Sequence, residues 1–432
     1  MMELQAVLHL SSTAVYTVVG YAIGTPEQPR IKIVAVGLAH TDAFIGGKID
    51  RREHLLSAVH KSIQEAVDMA GVQIHEVCLS FASSLMKSIN DSQDVQLYSM
   101  GTDTTVQRSH LHHAKELIAN KLRAEGYSLL QSCQQITYLD DGSQEVVDPL
   151  NMHANKIKVM HHVMMLPSNY HTQVINAVNA AGTEVGVTLF DGVVSAEYAL
   201  NKEEKKRGVC FIDIGRGTTK VCVYLGDLLI FSDCLDVGGQ TVTFDISSEL
   251  GLSLSESESL KHQQGTVQLD PTKRASFITL KQRTDGEMTI SLRQLSNIIS
   301  ARYDDIFGRV VERLNEQGLL QCLGAGMVLA GGGSRIDGLA RFVGHRWGLP
   351  VRMITTNELV SVCPKNLTDE NIALLNSYLK DNKLHTVIGS LLYQNGEQFL
   401  KDNYGKSPPH NKLVNKISDG WQSFAKRVKK WF

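Results

Sequence analysis

Residues 209–224 read VCFIDIGRGTTKVCVY. Two apolar runs rich in β-branched residues, Val209–Ile214 and Val221–Tyr224, flank a glycine-rich turn, and this pattern predicts a β-hairpin. Glycine lets the backbone N–H groups of a turn approach an anion closely, and successive N–H groups form an anion-binding nest. Asp213 ends the first strand, where its carboxylate could hold a hydrated Mg²⁺ against phosphate oxygens. No helix pattern follows, so the stretch is neither a Rossmann fingerprint nor a P-loop, and an ordinary glycine hairpin is the alternative.

Two later glycine stretches extend the pattern. Gly238-Gly239 precedes the apolar-periodic segment 241–250, and residues 327–339, MVLAGGGSRIDGL, predict a strand, three glycines and a helix start. In this order and at these separations, D-x-G-x-G-T, G-G and strand–G-G-G–helix resemble the actin-type ATPase fold. Within that fold, the chain resembles the FtsA family of bacterial cell-division proteins, most strongly across residues 205–345.

The resemblance implies an α/β, actin-like (ribonuclease H-like) fold of two lobes. It predicts the N-terminal part of the first lobe at 1–83, an inserted FtsA-type subdomain at 84–165 and the rest of the first lobe at 166–204. The second lobe would comprise a phosphate-binding part (205–245), a small subdomain that is a candidate FtsZ-binding unit (246–325) and an adenosine-binding part (326–394). A flexible linker (395–412) and an amphipathic membrane-targeting helix (413–432) would follow.

Residue patterns predict the main elements of the first lobe and the insert. Strands are expected near 4–10, 15–23, 31–39, 77–82, 128–138, 156–165 and 184–189, and helices near 53–70, 106–125 and 170–183. In the first of these helices, Leu56, Val59, Ile63 and Val67 recur at three- and four-residue spacing, which gives one apolar face. The charged segment 202–207 is expected to end the first lobe, and 295–314 is expected to form a long helix.

The resemblance also implies an ATP and Mg²⁺ site, with Asp213 acting on the metal through water. Glu258 and Lys261 match an E-x-x-K helix that faces ribose and adenine, although a surface ion pair is the alternative. Arg335 is placed to stack on adenine. The full set of expected nucleotide contacts is Ser11, Ser12, Thr13, Asp213, Gly215, Gly217, Thr218, Thr219, Gly238, Gly239, Glu258, Lys261, Gly331, Gly332, Gly333 and Arg335.

The first phosphate loop departs from the family pattern. His9 stands where the resemblance expects an aspartate, Ser11 where it expects glycine, and Ala14 where it expects lysine. Arg216 and Lys220 in the second loop could restore positive charge. Asp191 occupies the position that orients the attacking water in related ATPases, and a helix-start role is the alternative. We therefore expect nucleotide binding with weak or absent hydrolysis.

Partner surfaces are assigned by the resemblance alone. Arg302 and Asp305 match the surface that borders the site for the C-terminal tail of FtsZ, the tubulin-like ring protein, and plain helix-surface charges are the alternative. The inserted subdomain would contact neighbouring subunits of a filament and later cell-division proteins. It contains His110, His112, His113, His161 and His162, for which a solvated helix face is favoured over a metal site.

The last 21 residues read KLVNKISDGWQSFAKRVKKWF. Spacing of three and four gives an apolar stripe, and the basic residues face only one acidic residue, Asp419. This composition is typical of a helix that lies in a membrane interface, whereas a helix docked on the protein's own core or on a partner is the alternative. The residues expected at the membrane are Val414, Ile417, Trp421, Phe424, Lys426, Arg427, Val428, Lys429, Lys430, Trp431 and Phe432.

Composition limits the class of protein. The formal net charge of −2 gives no indication of nucleic-acid binding, and the seven cysteines show no C-x-x-C spacing, which favours buried thiols in a reducing compartment. Neither a signal peptide nor a membrane-spanning run of ~20 apolar residues is expected. We expect a cytoplasmic protein, peripheral on the inner face of the bacterial membrane at the division site.

These features together predict an ATP-binding protein that polymerises on the membrane, attaches the FtsZ ring (Z-ring) to it and recruits later division proteins during septum formation. One alternative is an actin-like protein of pilus or secretion assembly. A small-molecule phosphotransferase of the same superfamily is a second, less favoured alternative, because it needs a complete first phosphate loop.

Overall fold

The computed structural model describes residues 4–97, 105–140, 142, 144–273, 275–281, 287–365 and 367–403. In chain order, the strands are β1 Gln5–Leu10, β2 Ala14–Thr25, β3 Gln28–His40, β4 Phe44–Ile45, β5 Lys48–Ile49, β6 Glu76–Phe81, β7 Lys87–Gln96, β8 Tyr127–Leu139, β9 Gln144–Val146, β10 Lys156–Pro167, β11 Glu184–Phe190, β12 Val209–Ile214, β13 Thr219–Leu225, β14 Leu228–Leu235, β15 Phe277–Lys281, β16 Glu287–Ser291, β17 Gly326–Ala330, β18 Val351–Met353 and β19 Val360–Val362. The α-helices are α1 Arg52–Ala70, α2 Arg108–Ala124, α3 Ser168–Ala180, α4 Asp191–Ala199, α5 Lys202–Arg207, α6 Gly239–Leu250, α7 Leu254–Gln264, α8 Leu292–Glu316, α9 Leu339–Trp347, α10 Asp369–Lys380, α11 His385–Gln394 and α12 Glu397–Asp402.

The first lobe contains a six-stranded mixed sheet in the order β11-β6-β1-β2-β3-β19. β1, β2 and β3 form an antiparallel meander, and β6, β11 and β19 join it in parallel pairings. α1 buries Val59, Ile63 and Val67 as the sequence predicts, whereas Leu56 is only partly buried. The helix ends at Gly71, whose left-handed φ of 67° suits glycine.

The second lobe is built around a five-stranded sheet in the order β14-β13-β12-β17-β18. β12 is buried on both faces because its apolar side chains alternate between two cores. Val209 and Phe211 belong to the core shared with the first lobe, while Cys210 and Ile212 belong to the core that includes residues of α6 and α8. The uninterrupted apolar run in this strand is therefore explained by burial on both sides.

Two helices, α4 and α11, lie between the two sheets and pack closely against each other, with α4 on β12 and β13 and α11 on β1 and β2. A side chain at Gly389 would collide with the backbone carbonyl of Val194, so glycine is required where the two helices meet. Across the same interface, the Ser195 and Thr386 hydroxyls lie 2.8 Å apart in the buried core.

The inserted region forms its own four-stranded sheet in the order β7-β10-β8-β9, with α2 packed on it. This sheet contacts the second lobe through His162, whose Nε2 lies 2.8 Å from Ser232 Oγ, while its Nδ1 lies 2.8 Å from Asn90 Oδ1. His161 and His162 are buried in β10, so the expected solvated helix face applies only to the histidines of α2.

Local structure differs from the sequence expectations at two charged or glycine-rich segments. Residues 202–207 form α5, which is stabilised by a capping box between Asn201 and Glu204, because local side-chain bonds satisfy its first turn. After β17, a 3₁₀ turn spans Gly332–Arg335 and α9 begins only at Leu339. The helix therefore does not follow the three glycines directly.

The linker expected from residue 395 is also corrected. Residues 397–402 form α12, because Phe399 packs edge-on against Tyr393 and Asp402 accepts a 2.7 Å hydrogen bond from the Gln134 N–H. Both Phe399 and Asp402 are buried. Most of the remaining linker and the whole expected membrane helix lie outside the described residues. Within the described ranges, no helix combines the length and apolar character of a membrane span.

Candidate functional site

A cleft of about 1100 Å³ opens between the two sheets. The first lobe contributes the turn between β1 and β2, and the second contributes the turn between β12 and β13, the start of α6, one face of α7 and the glycines after β17. Loops from separate parts of the chain therefore converge on one cavity, which is how small-molecule sites between lobes are built.

The two candidate phosphate loops face each other at the base of this cleft. In the second loop, the Gly215 N–H donates to the Thr218 carbonyl at 2.8 Å and closes the turn. A Cβ atom on Gly217 would lie 2.7 Å from Gly46 N and 3.1 Å from Ser12 Oγ. Glycine is therefore needed at position 217, because it allows the hairpin tip to touch the first lobe.

The first loop is held by the hydroxyl of Ser11. Its Oγ donates to the Ala14 carbonyl at 2.8 Å and accepts from the Ala14 N–H at 3.1 Å. This turn leaves Ser12 and Thr13 at the cleft surface. Ser11 thus maintains the loop shape, whereas the two following hydroxyls are the ones positioned to contact a ligand.

His9 and Asp191 lie side by side at the floor of the cleft, and Asp191 Oδ1 is buried without a hydrogen-bond partner among the described residues. His9 Nδ1 lies 3.1 Å from Asp191 Oδ1 and 3.3 Å from Ser80 Oγ. Asp191 is the first residue of α4 and Phe190 is the N-cap, so Asp191 lies in the first turn without capping the helix. The carboxylate expected to orient water therefore has a histidine beside it.

Asp213 is enclosed by two basic side chains. Its Oδ2 lies 3.2 Å from Lys220 Nζ, directly across the hairpin, and 3.4 Å from His385 Nε2. Burial alone would raise the pKa of Asp213, but the Lys220 ammonium and His385 outweigh it and hold the pKa well below its usual range. Burial lowers the pKa of Lys220, yet Asp213 and Asp191 together raise it above normal. Lys220 and Asp213 therefore form a buried ion pair at the cleft floor.

The start of α6 is fastened to the hairpin. The Gly239 N–H donates to the Gly215 carbonyl at 2.9 Å, and the Gln240 N–H donates to the Arg216 carbonyl at 2.8 Å. A Cβ atom on Gly238 would lie 2.6 Å from the Gly215 oxygen, so glycine permits this contact. The hairpin turn is thus joined directly to the N-terminal end of α6, where the helix dipole is positive.

Lys261 is a buried side chain that connects α7 to α6. Its Nζ donates to the Gly239 carbonyl at 2.9 Å, to Thr243 Oγ1 at 2.7 Å and to Glu258 Oε2 at 2.7 Å. Burial lowers the pKa of Lys261, against the effect of Glu258. The side chain is only 9% exposed, so an exposed surface pair does not describe it.

The glycines after β17 form the opposite wall. Tyr303 donates its hydroxyl hydrogen to the Gly333 carbonyl, which anchors this turn to α8. Arg335 is exposed and donates to the carbonyl of Asp381, just after α10. Because α10 packs beside β19 of the first sheet, this bond joins the two sides of the cleft mouth.

Most of the expected nucleotide residues line this cleft. The residues that do so are Ser11, Ser12, Thr13, Asp213, Gly215, Thr218, Gly239, Glu258, Lys261, Gly331, Gly332, Gly333 and Arg335. Gly217 and Gly238 lie behind the lining and support the loops. Thr219 is fully buried and its hydroxyl donates to the Val237 carbonyl, so it shapes the hairpin instead of facing the cavity.

Sequence reasoning missed several contacts of the cleft. The pairing of Lys220 with Asp213 could have been found from hairpin register, because residues 213 and 220 face each other once the turn is placed. No sequence signal places His385 beside Asp213, since 172 positions separate them. Tyr16, Lys380 and Lys383 also line the cleft without belonging to a motif.

The surroundings of Asp213 do not suit a hydrated magnesium ion. Mg²⁺ needs near-octahedral oxygen ligands and usually takes one or two free carboxylates. Here Asp213 Oδ2 faces Lys220 and His385, and its Oδ1 packs so closely on Gly331 that a side chain there would collide with it. Asp191 lies against His9. Among the described residues, no group of three or more His, Cys, Asp or Glu side chains could hold a metal ion.

Arg302 and Asp305 lie on α8, outside this cleft lining. Arg302 makes a bidentate contact with Asp245 of α6, at 2.5 and 2.8 Å, and a 2.8 Å bond to Asp305. Asp305 also accepts from Arg309 at 3.1 Å. Both residues are thus engaged in an ionic network that joins α8 to α6, and their role toward a partner stays a prediction.

Solved structures with similar folds define the class. The chain superposes on a structure of the PilM-PilN type IV pilus biogenesis complex with a TM-score of 0.58 and 18% identity, covering 92% of this chain and 99% of that one. MreB5 of Spiroplasma citri bound to ADP gives a TM-score of 0.54 and 14% identity, covering 93% and 98%. With two lobes and a cleft between them lined by glycine loops, the chain has an actin-like fold.

Sequence comparisons show similarity to one family of proteins. The model of the family described as cell division protein FtsA matches residues 210–389. Cell division protein FtsA of Buchnera aphidicola subsp. Baizongia pistaciae is 25% identical over 408 residues, covering 90% of this chain and 93% of the relative. FtsA of Neisseria meningitidis serogroup B is 26% identical over 358 residues, covering 82% and 84%. The chain is therefore similar to cell division protein FtsA over most of its length, in agreement with the resemblance that the sequence motifs carry.

Proposed function

We propose that this chain binds adenine nucleotide in the cleft and, in that state, assembles into filaments that attach FtsZ to the inner face of the cell membrane. The observation that carries the nucleotide part is the meeting of the two phosphate loops at Gly217, behind the lining of the cavity that the Gly331–Gly333 turn also lines. Its volume, about 1100 Å³, is at the upper end of the roughly 300–1,000 Å³ typical of small-molecule sites.

Within this cleft, ligand contacts divide by chemistry. The hairpin turn and the hydroxyl residues Ser12 and Thr13 line the cleft on the side where phosphates would bind. Glu258 lies on α7 beside Lys261, where ribose and adenine would bind. Arg335 would present its planar guanidinium to the adenine ring. The nucleotide-bound MreB5 structures support this assignment through fold alone.

Hydrolysis is proposed to be weak or absent. Asp191 is the carboxylate that would orient a water, but His9 lies 3.1 Å from it where the resemblance expects an aspartate. The resemblance implies ATP together with Mg²⁺, and the surroundings of Asp213 suit the nucleotide better than the metal. Nucleotide would therefore act here by bridging the lobes rather than by being turned over.

The tethering part rests on the C-terminal sequence. Residues 413–432 carry an apolar stripe with two tryptophans and a dense basic side, and residues 404–412 precede them as a polar, breaker-rich segment. Each basic residue contributes on the order of 1 kcal/mol near an anionic leaflet. One tail would bind reversibly, and a filament that presents many tails would bind firmly, because effective concentration rises.

Partners follow from the same proposal. The FtsZ tail would bind near Arg302 and Asp305, later division proteins would bind the inserted sheet, and a second copy of the chain would continue the filament. The pilus-assembly alternative draws on the PilM-PilN similarity, which concerns the fold, whereas the sequence relatives are division proteins.

Co-sedimentation with FtsZ tests this proposal against that alternative. FtsZ filaments should bring the full chain into the pellet, and FtsZ without its C-terminal tail peptide should leave it in the supernatant. Pelleting that does not depend on the tail would contradict the assigned partner. In parallel, millimolar ATP or ADP should raise the melting temperature, because ligand bound only by the native state stabilises it.

A further inference from the structure

The charged side chains at the floor of the cleft include a buried lysine, Lys220. Lys220 Nζ lies 3.2 Å from Asp213 Oδ2, and the lysine side chain is 9% exposed. A Cβ atom on Gly215 would lie 3.2 Å from the same Nζ, which places the ammonium directly behind the phosphate turn. The cation is therefore built into the hairpin that would receive the phosphates.

Asp213, the carboxylate assigned to the metal, is already engaged. His385 shares Asp213 Oδ2 with Lys220, and His9 lies beside Asp191. A divalent cation brought to Asp213 would also stand next to the Lys220 ammonium, and two like charges at such a short distance repel each other. The site thus disfavours the ion that the fold family implies.

Other cations of the lining can balance phosphate charge. Among the described residues of the cleft, six lysine and arginine side chains accompany five aspartate and glutamate side chains. The six are Arg216, Lys220, Lys261, Arg335, Lys380 and Lys383. Lysine provides a compact charge with three N–H donors, so an ammonium that binds Asp213 still has donors for phosphate oxygens.

We propose that the Lys220 ammonium takes the place of a magnesium ion in this cleft, so that nucleoside di- and triphosphates bind without a metal. This inference rests on the proposed nucleotide-binding function and goes beyond it by assigning a phosphate-binding residue and by removing the metal requirement. Lys220 is held toward the phosphates by Asp213, and His385 positions Asp213 from helix α11.

The test compares the affinity of the full chain for ATP and for ADP in buffer with MgCl₂ and in buffer with EDTA, by isothermal titration calorimetry. The expected result is a Kd that changes by less than about threefold when the metal is removed. A Kd that weakens by more than that in EDTA would overturn the inference while leaving the proposed nucleotide function intact. Absence of binding in both buffers would instead contradict the proposed function.

A variant identifies the residue responsible. Lys220→Gln should weaken binding in EDTA by at least about tenfold, since it removes the charge but retains polarity. Lys61→Gln is the matched control, because Lys61 is an exposed residue of α1 outside the cleft lining, and it should bind like the original chain. Equal affinity of Lys220→Gln and the original chain in EDTA would refute the role of Lys220. Circular dichroism reports whether the variant folds, and the comparison of buffers on the unmodified chain needs no variant.

Discussion

His9 Nδ1 lies 3.1 Å from Asp191 Oδ1, and the two side chains are 10% and 3% exposed. The resemblance expects an aspartate at position 9, which would place two carboxylates close together at the floor of the cleft. A histidine there places an imidazole beside Asp191 instead, although Asp191 Oδ1 has no hydrogen-bond partner among the described residues. The residue at position 9 therefore determines the surroundings of Asp191, which affects both stability and chemistry.

Removal of the imidazole should destabilise the fold. His9→Ala removes a buried imidazole that stacks on Tyr16 and lies beside Asp191, and we expect the free energy of unfolding to fall by about 1–3 kcal/mol. Urea denaturation measures this, and His113→Ala on the exposed side of α2 is the control, expected to have little effect. A double-mutant cycle with Asp191→Asn should give a coupling energy above about 0.5 kcal/mol. Additive effects would contradict a direct interaction.

Asp402 should make stability depend on pH. Burial raises the pKa of Asp402 to about 6, although Tyr393, the Gln134 N–H and Lys115 act in the opposite direction. The native state then binds the proton more tightly than the unfolded chain, so the stabilisation is complete below about pH 4 and is lost as pH rises through about 6. The loss amounts to about 3 kcal/mol at most.

Melting curves between about pH 4 and pH 7 measure this dependence. Asp402→Asn keeps an acceptor for the Gln134 N–H but cannot ionise, so its unfolding free energy should vary less across this window than that of the original chain. Other groups titrate in both proteins, and the difference between the two curves isolates Asp402. Parallel curves would show that the carboxylate does not titrate differently on folding.

Gly217 should control closure of the cleft. Gly217→Ala places a methyl group 2.7 Å from Gly46 N in the β4–β5 turn and 3.1 Å from Ser12 Oγ in the first phosphate loop, so the hairpin tip must move away from the first lobe, and we expect nucleotide affinity to fall by about tenfold. Gly308→Ala is the control, because it lies in α8 with open space around it and should increase stability by up to about 1 kcal/mol without affecting affinity. Equal affinities for the two variants would contradict contact between the loops.

Arg302 should contribute both to stability and to partner binding. A substitution at Asp245 distinguishes the two contributions. Arg302→Ala and Asp245→Asn both break the bidentate contact between α8 and α6 and should each cost about 1 kcal/mol. Binding of the FtsZ tail peptide, measured by fluorescence anisotropy, should weaken only in Arg302→Ala, because Asp245→Asn retains the guanidinium. Equal losses of peptide binding would indicate an indirect structural effect.

The sequence predicted the parts of the fold that repeat a local pattern. The β12–β13 hairpin follows from two apolar runs around glycines, and α1 follows from its three- and four-residue spacing. α12 was missed because its segment is polar and breaker-rich, and the packing of Phe399 on Tyr393 is what stabilises a helix there. β7 was missed because its sequence, KSINDSQDVQ, has little apolar character, and pairing with β10 defines it.

The candidate site divides in the same way. The glycines of the site could be predicted from the motifs, because close contacts between backbone segments require glycine at those positions. The ion pairs of the site could not be predicted. The contact between His385 and Asp213, for example, depends on where α11 lies between the lobes. The positions of charges within a cleft depend on tertiary structure. A sequence motif predicts a loop, but it does not predict which charged side chains from other parts of the chain lie beside that loop.

Co-sedimentation with liposomes containing anionic lipid tests the central claim most directly. The full chain should pellet with the liposomes and bring FtsZ with it, whereas the chain truncated after residue 412 should leave FtsZ in the supernatant and still bind FtsZ in solution. Recruitment of FtsZ to liposomes by the truncated chain, at the level of the full chain, would contradict the account.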